Sequence, residues 1–323
     1  MFEEKVKLSQ FSNYKIGGLA RYFFVAKGLE ELYRAVVAAK IYKWPVFILG
    51  GGTNLLISDK GFDGLVIKPD LKFINQTPCE GVHLAVTAGA GLLVSELLEF
   101  CIEKGLSGLE WAGGLPGTVG GAIRGNAGAF KGEIKDTIHE VVSFKYKDVG
   151  HPYIVKRDGV GCVFKYRDSI FKSGDGKDEI IITASFILKK GDKQSIRQAM
   201  EDKIKWRQER QPLDYPNIGS IFKNIAWSDV DRTSAIVGAL KEELRKHMKT
   251  DPFPVLPAAT LIDKANLKGI SFGGAMISPK HPNFIVNLGI ADAGDVKQLI
   301  NLVKSVVRKK FAISLEEEII YIN

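Results

Sequence analysis

The hydrophobic and polar positions of the chain alternate between two periods. Apolar residues at helical spacing predict amphipathic helices at Leu29–Ile41, Leu92–Glu103, Ser195–Arg210, Val237–Lys249 and Val296–Val307. Short apolar runs between them predict strands at Val46–Leu49, Gly64–Ile67, His83–Ala88, Val141–Phe144, Ile180–Leu188 and Ser314–Ile322. This alternation predicts an α/β or α+β chain whose first 68 residues form a small βαβ unit.

The sequence also predicts the end of one of these helices and the buried face of another. Gly105 follows the Leu92–Glu103 segment and predicts the end of that helix. The helix Ser195–Arg210 is predicted to bury one face, made of Ile196, Ala199, Met200 and Ile204.

The composition is that of a globular protein with 45% hydrophobic and 25% charged residues, and a length of 323 residues favours two or three domains. The three cysteines, Cys79, Cys101 and Cys162, lie far apart and fit a reducing compartment better than a disulfide framework. The first ten residues do not resemble a secretory signal, and no apolar run approaches the roughly 20 residues of a membrane span. We therefore expect a cytoplasmic protein with no membrane partner.

The net charge of +8 and the pI of about 9.1 favour anionic partners. The lysines and arginines are spread along the whole chain and are not interleaved with aromatic residues, so we expect no nucleic-acid partner. A phosphorylated small molecule explains the charge, and so does solubility alone.

Two glycine-rich segments have the pattern of phosphate-binding loops. The first, GGGTNLL, follows the predicted strand Val46–Leu49, so its backbone N–H groups could approach a pyrophosphate without obstruction by Cβ atoms; a tight turn is the alternative. The second, Gly113–Phe130, holds seven glycines within 16 residues, and Pro116–Gly121 is predicted to begin a helix, whose N-terminus favours phosphate. Together the two loops predict a bound dinucleotide.

The segment Gly89-Ala90-Gly91 also follows a predicted strand and opens a helix, as a Rossmann turn does. Val94 occupies the position of the third glycine, and no acidic residue follows at the expected distance of about 20 residues. We therefore do not predict a Rossmann site.

Two polar positions in short motifs could carry chemistry. Arg167, in Tyr-Arg-Asp-Ser, could hold a carboxylate with both arms of its guanidinium, or form a surface ion pair. Ser220 follows a glycine, but Phe222 occupies the second glycine position of a nucleophile elbow. Taken alone, Ser220 is therefore more simply interpreted as a loop cap.

Near the end of the chain, Glu318 shares a face with Ile320 and Ile322 if the predicted strand alternates regularly. Burial on such a face would favour the protonated carboxyl, whereas a strand terminus would leave Glu318 in water. The five histidines have no metal-ligand spacing with one another or with a cysteine, so no metal site is predicted.

Taken together and in this order, these segments resemble the UDP-N-acetylenolpyruvoylglucosamine reductase family of peptidoglycan synthesis, in its shorter type. The resemblance runs from Asn13 to Glu318. The motifs that carry it are GGGTNLL, GLPGTVGGA with NAGAF, YRDS, GSIFKN and LIDKANLKGISFGGAMISPKHPNFIVN.

The resemblance implies an α+β chain with a two-subdomain FAD-binding fold of the p-cresol methylhydroxylase type and an α/β substrate-binding domain. The first FAD-binding subdomain would span residues 1–68, with the C-terminal strand 306–323 returning to it. The second would span residues 69–206, and the UDP-sugar domain residues 207–305.

The resemblance also implies a reaction: NADPH-dependent reduction of the enolpyruvyl ether of UDP-N-acetylglucosamine enolpyruvate to UDP-N-acetylmuramate. FAD would be the noncovalent cofactor, NADPH the hydride donor, the UDP-sugar enolpyruvyl ether the substrate, and the protein a monomer. By family role, Ser220 would donate a proton, and Arg167 and Glu318 would stabilise the charge that forms. The residues implied in substrate binding are Tyr166, Asn224 and His281. The residues implied in cofactor binding are Gly50, Gly51, Gly52, Thr53, Asn54, Leu55, Gly114, Leu115, Pro116, Gly117, Thr118, Gly120, Gly121, Asn126 and Ala127.

The sequence departs from the family pattern at three places. Ile225 replaces the usual proline, Ile320 replaces a basic residue, and Ala226–Val255 is longer than the usual link. Two alternative functions remain. An FAD oxidase or dehydrogenase of the same fold often tethers its flavin through a histidine, which Gly113–Phe130 lacks. A non-catalytic nucleotide-sugar-binding module would not need the two flavin loops.

Overall fold

The structure, a computed structural model, describes residues 2–78, 83–147, 150–230, 235–251 and 253–323, so Cys79 lies outside the described residues. The chain divides into two compact units. The first unit contains residues 1–6, 20–51 and 63–207, and the second contains residues 7–19, 52–62 and 208–323. The three-domain division inferred from the sequence remains a prediction.

The strands, labelled in chain order, are β1 Glu3–Lys7, β2 Leu19–Ala26, β3 Val46–Ile48, β4 Leu55–Ile57, β5 Phe62–Pro69, β6 Ile74–Pro78, β7 His83–Gly89, β8 Leu106–Ser107, β9 Gly128–Ala129, β10 Gly132–Glu133, β11 Ile138–Lys145, β12 Tyr153–Asp158, β13 Glu179–Lys190, β14 Ile225–Ala226, β15 Val255–Leu256, β16 Ser271–Phe272, β17 Ala275–Ile277, β18 Ile285–Asn287 and β19 Ile320–Ile322.

The α-helices are α1 Leu29–Ile41, α2 Val94–Lys104, α3 Val119–Arg124, α4 Ile170–Ser173, α5 Lys193–Arg210, α6 Ala235–Arg245, α7 Ala258–Lys264 and α8 Ala293–Phe311. Short 3₁₀ helices lie at Leu8–Phe11, Glu110–Ala112, Ile134–Asp136 and Trp227–Asp229.

In the first unit, one sheet has the strand order β1-β2-β5-β3, with β3 parallel to β5. Helix α1 has the predicted bounds. Leu32, Ala35, Val36 and Ala39 recur at helical spacing, and all four are buried in a core that also contains residues of β5. The βα pattern of the sequence therefore produces a helix whose apolar stripe is covered.

The other large sheet of the first unit has the order β12-β11-β13-β7-β6, with β8 attached to β13. Its strand pairs are antiparallel. Helix α2 buries Leu97, Leu98 and Cys101 in the core of this part. Gly105 ends α2 as predicted, because it adopts a φ of +63° that a glycine reaches without strain.

The predicted buried face of α5 is wrong at one end. Ile196 and Met200 are buried, but Ile204 is 38% exposed, and Arg207 is buried in its place. A helix with this many charged residues has a weak apolar stripe, so the packing of individual side chains decides which residues are buried.

The second unit is built on three small sheets: antiparallel β14-β15, antiparallel β16-β17-β18, and parallel β4-β19. Helix α8 begins at the N-cap Asp292, whose carboxylate accepts a hydrogen bond from the backbone N–H of Asp295. Its buried residues at helical spacing, which join the core cluster of this unit, include Val296, Leu299, Ile300, Val303 and Val307.

The predicted elements near the C-terminus differ from the structure in extent. Helix α6 ends at Arg245 instead of Lys249. The final strand covers only Ile320–Ile322, and residues 306–311 of the predicted returning segment belong to α8. Residues 313–319 keep alternating burial, which explains why the sequence pattern resembled a strand, but apart from an isolated bridge between Glu317 and Phe222 they form no strand.

Cys101 and Cys162 are buried and form no disulfide. Burial raises the pKa of each thiol to about 12, so both are protonated at neutral pH. Among the described residues, no helix is long and apolar enough to cross a membrane.

Candidate active site

The two predicted phosphate loops meet within the first unit. Gly50 and Gly51 follow β3, and Gly117 and Thr118 precede α3. A Cβ atom on Gly51 would lie 2.6 Å from the Cα of Gly117, and one on Gly50 would lie 3.1 Å from Oγ1 of Thr118. The absence of side chains at these glycines is therefore what lets the two backbones approach.

Backbone donors collect at this approach. Within the described ranges, the N–H groups of Gly50, Gly51, Gly117 and Thr118 donate no hydrogen bond to the protein. Thr118 is the N-cap of α3, and its Oγ1 accepts a hydrogen bond from Gly121 at 3.4 Å. A cluster of N–H donors beside glycines has the chemistry of a phosphate cradle.

The Rossmann-like segment has a structural explanation. Gly120 donates from its N–H to the carbonyl of Ala90 at 2.9 Å, and Val94 donates to the carbonyl of Gly117 at 3.0 Å. A Cβ atom on Gly89 would lie 2.1 Å from the carbonyl oxygen of Leu71. The glycines of this segment thus fit close backbone packing, and the segment supports the phosphate loop.

The remaining residues of the first loop, Gly52 to Leu55, belong to the second unit. Nδ2 of Asn54 donates to the carbonyl of Glu318 at 3.1 Å, and the N–H of Ile320 donates to the carbonyl of Asn54 at 3.0 Å. Leu55 pairs with Ile320 in the β4-β19 ladder. The implied contacts of Gly52, Thr53, Asn54 and Leu55 with a cofactor stay predictions, but Asn54 also ties this loop to the segment of Glu318.

Asn126, in the second glycine segment, uses its side chain inside the protein. It is fully buried, and its Nδ2 donates to the carbonyl of Lys165 at 2.9 Å and to Glu133 at 3.2 Å. Its Oδ1 accepts a hydrogen bond from the N–H of Lys135 at 3.1 Å. Asn126 therefore joins the glycine segment to the turn that carries Arg167. Ala127 is bonded through its backbone to Ala122 and Ile134.

The remaining implied residues of this segment line the loop before α3. Gly114 adopts a φ of +73°, and a Cβ atom there would lie 3.0 Å from Cδ of Arg207. Leu115 donates from its N–H to the carbonyl of Ala112, and Pro116 follows it. Their contacts with a cofactor stay predictions.

Arg167 lies at the tip of a tight turn in the first unit. Lys165 and Asp168 exchange backbone hydrogen bonds of 3.0 and 3.1 Å on either side of it. The φ of Arg167 is +55°, a left-handed conformation that non-glycine residues adopt mainly where the surroundings impose it. Its Nη2 donates to the carbonyl of Gly128 at 2.7 Å, and its guanidinium carbon lies 5.0 Å from the ring centroid of Tyr166.

Ser220 lies in the second unit beside Gly219, which has a φ of +83°. The next residue, Ile221, donates from its N–H to the carbonyl of Asn283 at 2.8 Å. The side chain of Asn283 accepts from the N–H of Phe222 at 3.0 Å and donates to its carbonyl at 2.8 Å. Asn283 is buried and fixes the chain directly after Ser220, a role that the sequence reasoning missed.

The segment of Glu318 pairs with the segment of Ser220. Glu318 donates from its N–H to the carbonyl of Ile221 at 2.8 Å, and Lys223 donates from its N–H to the carbonyl of Glu316 at 2.9 Å. The ammonium of Lys223 is bonded to the Glu316 carboxylate. Two residues distant in sequence, Ser220 and Glu318, are thereby brought onto adjacent backbone segments.

The expected strand face for Glu318 is wrong. Glu318 precedes β19, and a bend at Ile319 breaks the alternation, so Glu318 is half-buried and does not share a strand face with Ile320 and Ile322. Its neighbour Glu317 accepts hydrogen bonds from Nζ of Lys304, at 2.6 Å, and from the hydroxyl of Tyr321. These bonds fix the backbone next to Glu318.

The two implied substrate residues of the second unit have different environments. Oδ1 of Asn224 accepts a hydrogen bond from the N–H of Ala258, the first residue of α7, at 3.2 Å. Nδ1 of His281 is buried and, within the described residues, has no hydrogen-bond partner. Burial and, to a smaller extent, the charges of Lys249 and Lys268 lower the pKa of His281 to about 4, so its imidazole is neutral at pH 7.

Among the described residues, no group of three or more His, Cys, Asp or Glu side chains could hold a metal ion. The implied residues of the first unit offer backbone donors and an arginine, and those of the second unit offer a serine and a carboxyl. Such groups can bind phosphates and a carboxylate and can move a proton.

Two protein-family profiles match the chain. The profile of the UDP-N-acetylenolpyruvoylglucosamine reductase C-terminal domain matches residues 211–322, and an FAD binding domain matches residues 20–145. The second match covers both phosphate loops of the first unit and supports the α+β FAD-binding fold expected from the sequence.

Relatives with the same name match nearly the whole chain. The UDP-N-acetylenolpyruvoylglucosamine reductase of Lachnoclostridium phytofermentans is 35% identical over 97% of this chain and 90% of its own length. That of a Thermotoga species is 38% identical over 99% of this chain and 92% of its own length. The crystal structure of the reductase from Thermus caldophilus matches all of both chains with a TM-score of 0.74 at 29% identity. The chain therefore belongs to the UDP-N-acetylenolpyruvoylglucosamine reductase family.

Proposed function

We propose that the protein is an FAD-dependent oxidoreductase of peptidoglycan synthesis. It reduces the enolpyruvyl ether of UDP-N-acetylglucosamine enolpyruvate to UDP-N-acetylmuramate, with NADPH as hydride donor. Family membership supports this reaction. The structural observation that carries it is the backbone pairing that brings the segments of Ser220 and Glu318 together within the second unit.

The phosphate loops of the first unit fit the cofactor. The two glycine loops approach each other closely, and the N–H groups of Gly50, Gly51, Gly117 and Thr118 would donate to a pyrophosphate there. No histidine lies in Gly113–Phe130, so the flavin is held without a covalent bond. When bound, FAD supplies the hydride chemistry between NADPH and the vinyl ether.

Residues of the protein stabilise the negative charge that hydride addition creates on the substrate. Addition at the methylene carbon leaves negative charge on the adjacent carbon, which is delocalised into the carboxylate of the substrate. Arg167 and a protonated Glu318 stabilise this charge by hydrogen bonds that strengthen as it develops. Arg167 suits the role because its turn and its bond to Gly128 fix the guanidinium in advance.

Ser220 then delivers a proton to the carbon. A serine hydroxyl is a poor acid in water, so it acts only when it is held against the carbanion. The two hydrogen bonds between Asn283 and the backbone of Phe222 fix the chain next to Ser220 and support this role. Within the described residues the Ser220 hydroxyl makes no hydrogen bond, so its proton is not committed to a protein acceptor.

The protein acts as a cytoplasmic monomer in this proposal. Its substrate and hydride donor are nucleotide-linked metabolites, which fits that location. Sedimentation of the purified protein tests the monomer, and a sedimentation coefficient that rises to the dimer value at micromolar concentration would contradict it.

Reduction and reoxidation of the flavin, measured separately, test the reaction. The purified protein should be yellow, NADPH should bleach it under anaerobic conditions, and the enolpyruvyl substrate should restore the colour faster than oxygen does. Rapid restoration by oxygen but not by substrate would favour a flavin oxidase of the same fold. A colourless protein that binds UDP-sugars would favour the non-catalytic binding module.

A further inference from the structure

Helix α5 buries a charged residue that the sequence pattern does not single out. Arg207 is 9% exposed, while most of the charged residues of the same helix face solvent. A buried guanidinium is costly unless it is paired, so a fold that buries one needs a compensating partner.

The partners of Arg207 within the described residues are incomplete. Its Nε donates to the carbonyl of Gly113 at 2.9 Å, and its guanidinium carbon lies 5.3 Å from the ring centroid of Phe130. Its Nη2 is buried and has no hydrogen-bond partner in the described part of the chain, and no described carboxylate forms an ion pair with it. The hydrogen bond at Nε therefore fixes the position of Arg207, and Nη2 is a hydrogen-bond donor without a described acceptor.

The positive charge of Arg167 adds to the unfavourable burial of the Arg207 guanidinium. Burial lowers the pKa of Arg207, and the positive charge of Arg167 lowers it further. Arg167 donates to the carbonyl of Gly128, two residues before the ring that Arg207 contacts. Two guanidinium groups beside the same short segment repel each other, and an anion bound to both would remove the repulsion.

We propose that Arg207 is a second carboxylate-binding residue, which together with Arg167 holds the enolpyruvyl carboxylate of the substrate. This inference rests on the proposed function. A carboxylate suits the pair because Nε of Arg207 is occupied by a backbone carbonyl while its Nη2 has no described partner, and Arg167 places a second guanidinium beside the same segment. In the proposed function, the backbone donors in the loops at Gly51 and Gly117 would serve the phosphates of the cofactor.

Two nucleotide sugars separate carboxylate recognition from every other role. UDP-N-acetylmuramate carries the carboxylate, and UDP-N-acetylglucosamine has the same diphosphate and sugar without it. Binding of each to the FAD-loaded protein is measured by calorimetry. Arg207→Gln should weaken UDP-N-acetylmuramate about 10- to 100-fold, the loss of a hydrogen bond to a charged group, and UDP-N-acetylglucosamine by less than about threefold.

A matched control lies one turn earlier on the same helix. The ammonium of Lys203 lies 5.4 Å from the centroid of the same Phe130 ring, but Lys203 is only half-buried. Lys203→Gln removes one positive charge from the same neighbourhood and should leave the affinities of both ligands within about twofold of wild type. Arg207→Lys keeps the charge and should lie between wild type and Arg207→Gln for UDP-N-acetylmuramate.

The remaining outcomes contradict the proposal in distinguishable ways. Equal weakening of both ligands by Arg207→Gln would assign Arg207 to the diphosphate or to the fold alone. Loss of flavin from the variant would assign it to the cofactor. If Arg207→Gln does not fold, the same comparison on Arg207→Lys decides, because a lysine can still donate to Gly113. If the wild-type protein binds neither nucleotide sugar, the proposed function fails together with this inference.

Discussion

The two units hold the residues proposed for catalysis in different ways. In the first unit, Arg167 lies on one tight turn that side chains fix: Asn126 donates to Lys165, and Lys172 donates to the carbonyl of Arg167 at 2.9 Å. In the second unit, the segments of Ser220 and Glu318 fix each other largely through backbone hydrogen bonds.

Because the two units support these residues differently, they should tolerate different substitutions. Backbone hydrogen bonds survive most changes of side chain, whereas a turn in a left-handed conformation depends on the individual groups that impose it. Substitutions near Ser220 should therefore report on chemistry, and substitutions near Arg167 should report on chemistry and structure together.

The largest effect should come from Ser220→Ala, which tests the second unit. Positioned proton transfer contributes about 10²–10⁴-fold, or roughly 3–5 kcal/mol. Reoxidation of the reduced flavin by substrate should slow by this factor, while reduction by NADPH stays near normal, as stopped-flow absorbance can show. Equal slowing of both half-reactions, or of neither, would mean that Ser220 is not the acid.

Arg167→Lys should give the next largest effect. A point charge cannot reproduce the planar fork against a carboxylate, so kcat/KM should fall about 10- to 100-fold. Steady-state assays with the enolpyruvyl substrate measure the change. Arg21→Lys, at an exposed ion pair of the same unit, is the matched control and should behave as wild type. Wild-type activity in Arg167→Lys would indicate that Arg167 forms only a surface ion pair.

Asn126→Ala tests whether side chains hold the turn. The substitution removes buried amide hydrogen bonds to Lys165, Glu133 and Lys135. The protein should lose about 2–4 kcal/mol of unfolding free energy, and kcat should fall as Arg167 loses its support. Denaturant unfolding and turnover measure both, with the exposed Asn75→Ala as control. Unchanged turnover in a destabilised Asn126→Ala variant would show that the turn holds without it.

The unfolding free energy should depend on pH through His281 of the second unit. The pKa of His281 is lowered to about 4 by burial, so its neutral form contributes stability that is present above pH 6.5 and is lost as the pH falls toward 4. The loss amounts to at most about 3 kcal/mol. His281→Gln should flatten the decline of unfolding free energy between pH 6.5 and 4, and a parallel decline in both proteins would refute this assignment.

The smallest effect should come from Glu316→Gln. This change breaks the ion pair with Lys223 but leaves the backbone bond between the two residues intact. The Glu316 carboxylate is 72% exposed, so stability should change by less than about 1 kcal/mol and kcat should not change. A large loss of turnover would show that the pairing of these two backbone segments depends on their side chains.

The sequence predicted the parts of the site that rest on local backbone chemistry. The glycine loops at Gly51 and Gly117 were predicted because close backbone approach requires glycine at particular positions. Helix α1 has its predicted bounds because its apolar stripe is regular. Signals of this kind lie within a few residues of each other and can be identified before the fold is known.

The parts that were missed depend on distant partners. The strand face expected for Glu318 fails because one bend at Ile319 interrupts the alternation. Arg207 resembles the other charged residues of α5, and only its burial against Gly113 and Phe130 distinguishes it. The role of Asn283 arises from Phe222, about sixty residues earlier in the chain. No local pattern encodes such contacts.

The parallel pairing of β4 with β19 has a consequence for synthesis on the ribosome. The second unit joins residues 52–62 to the segment that ends the chain, whereas the first unit is complete in sequence at residue 207. At roughly 5–20 residues per second, β4 emerges more than about ten seconds before its partner. Leu56, which is buried in the core of the folded protein, is exposed to solvent during that interval. It is therefore a candidate site for chaperone binding.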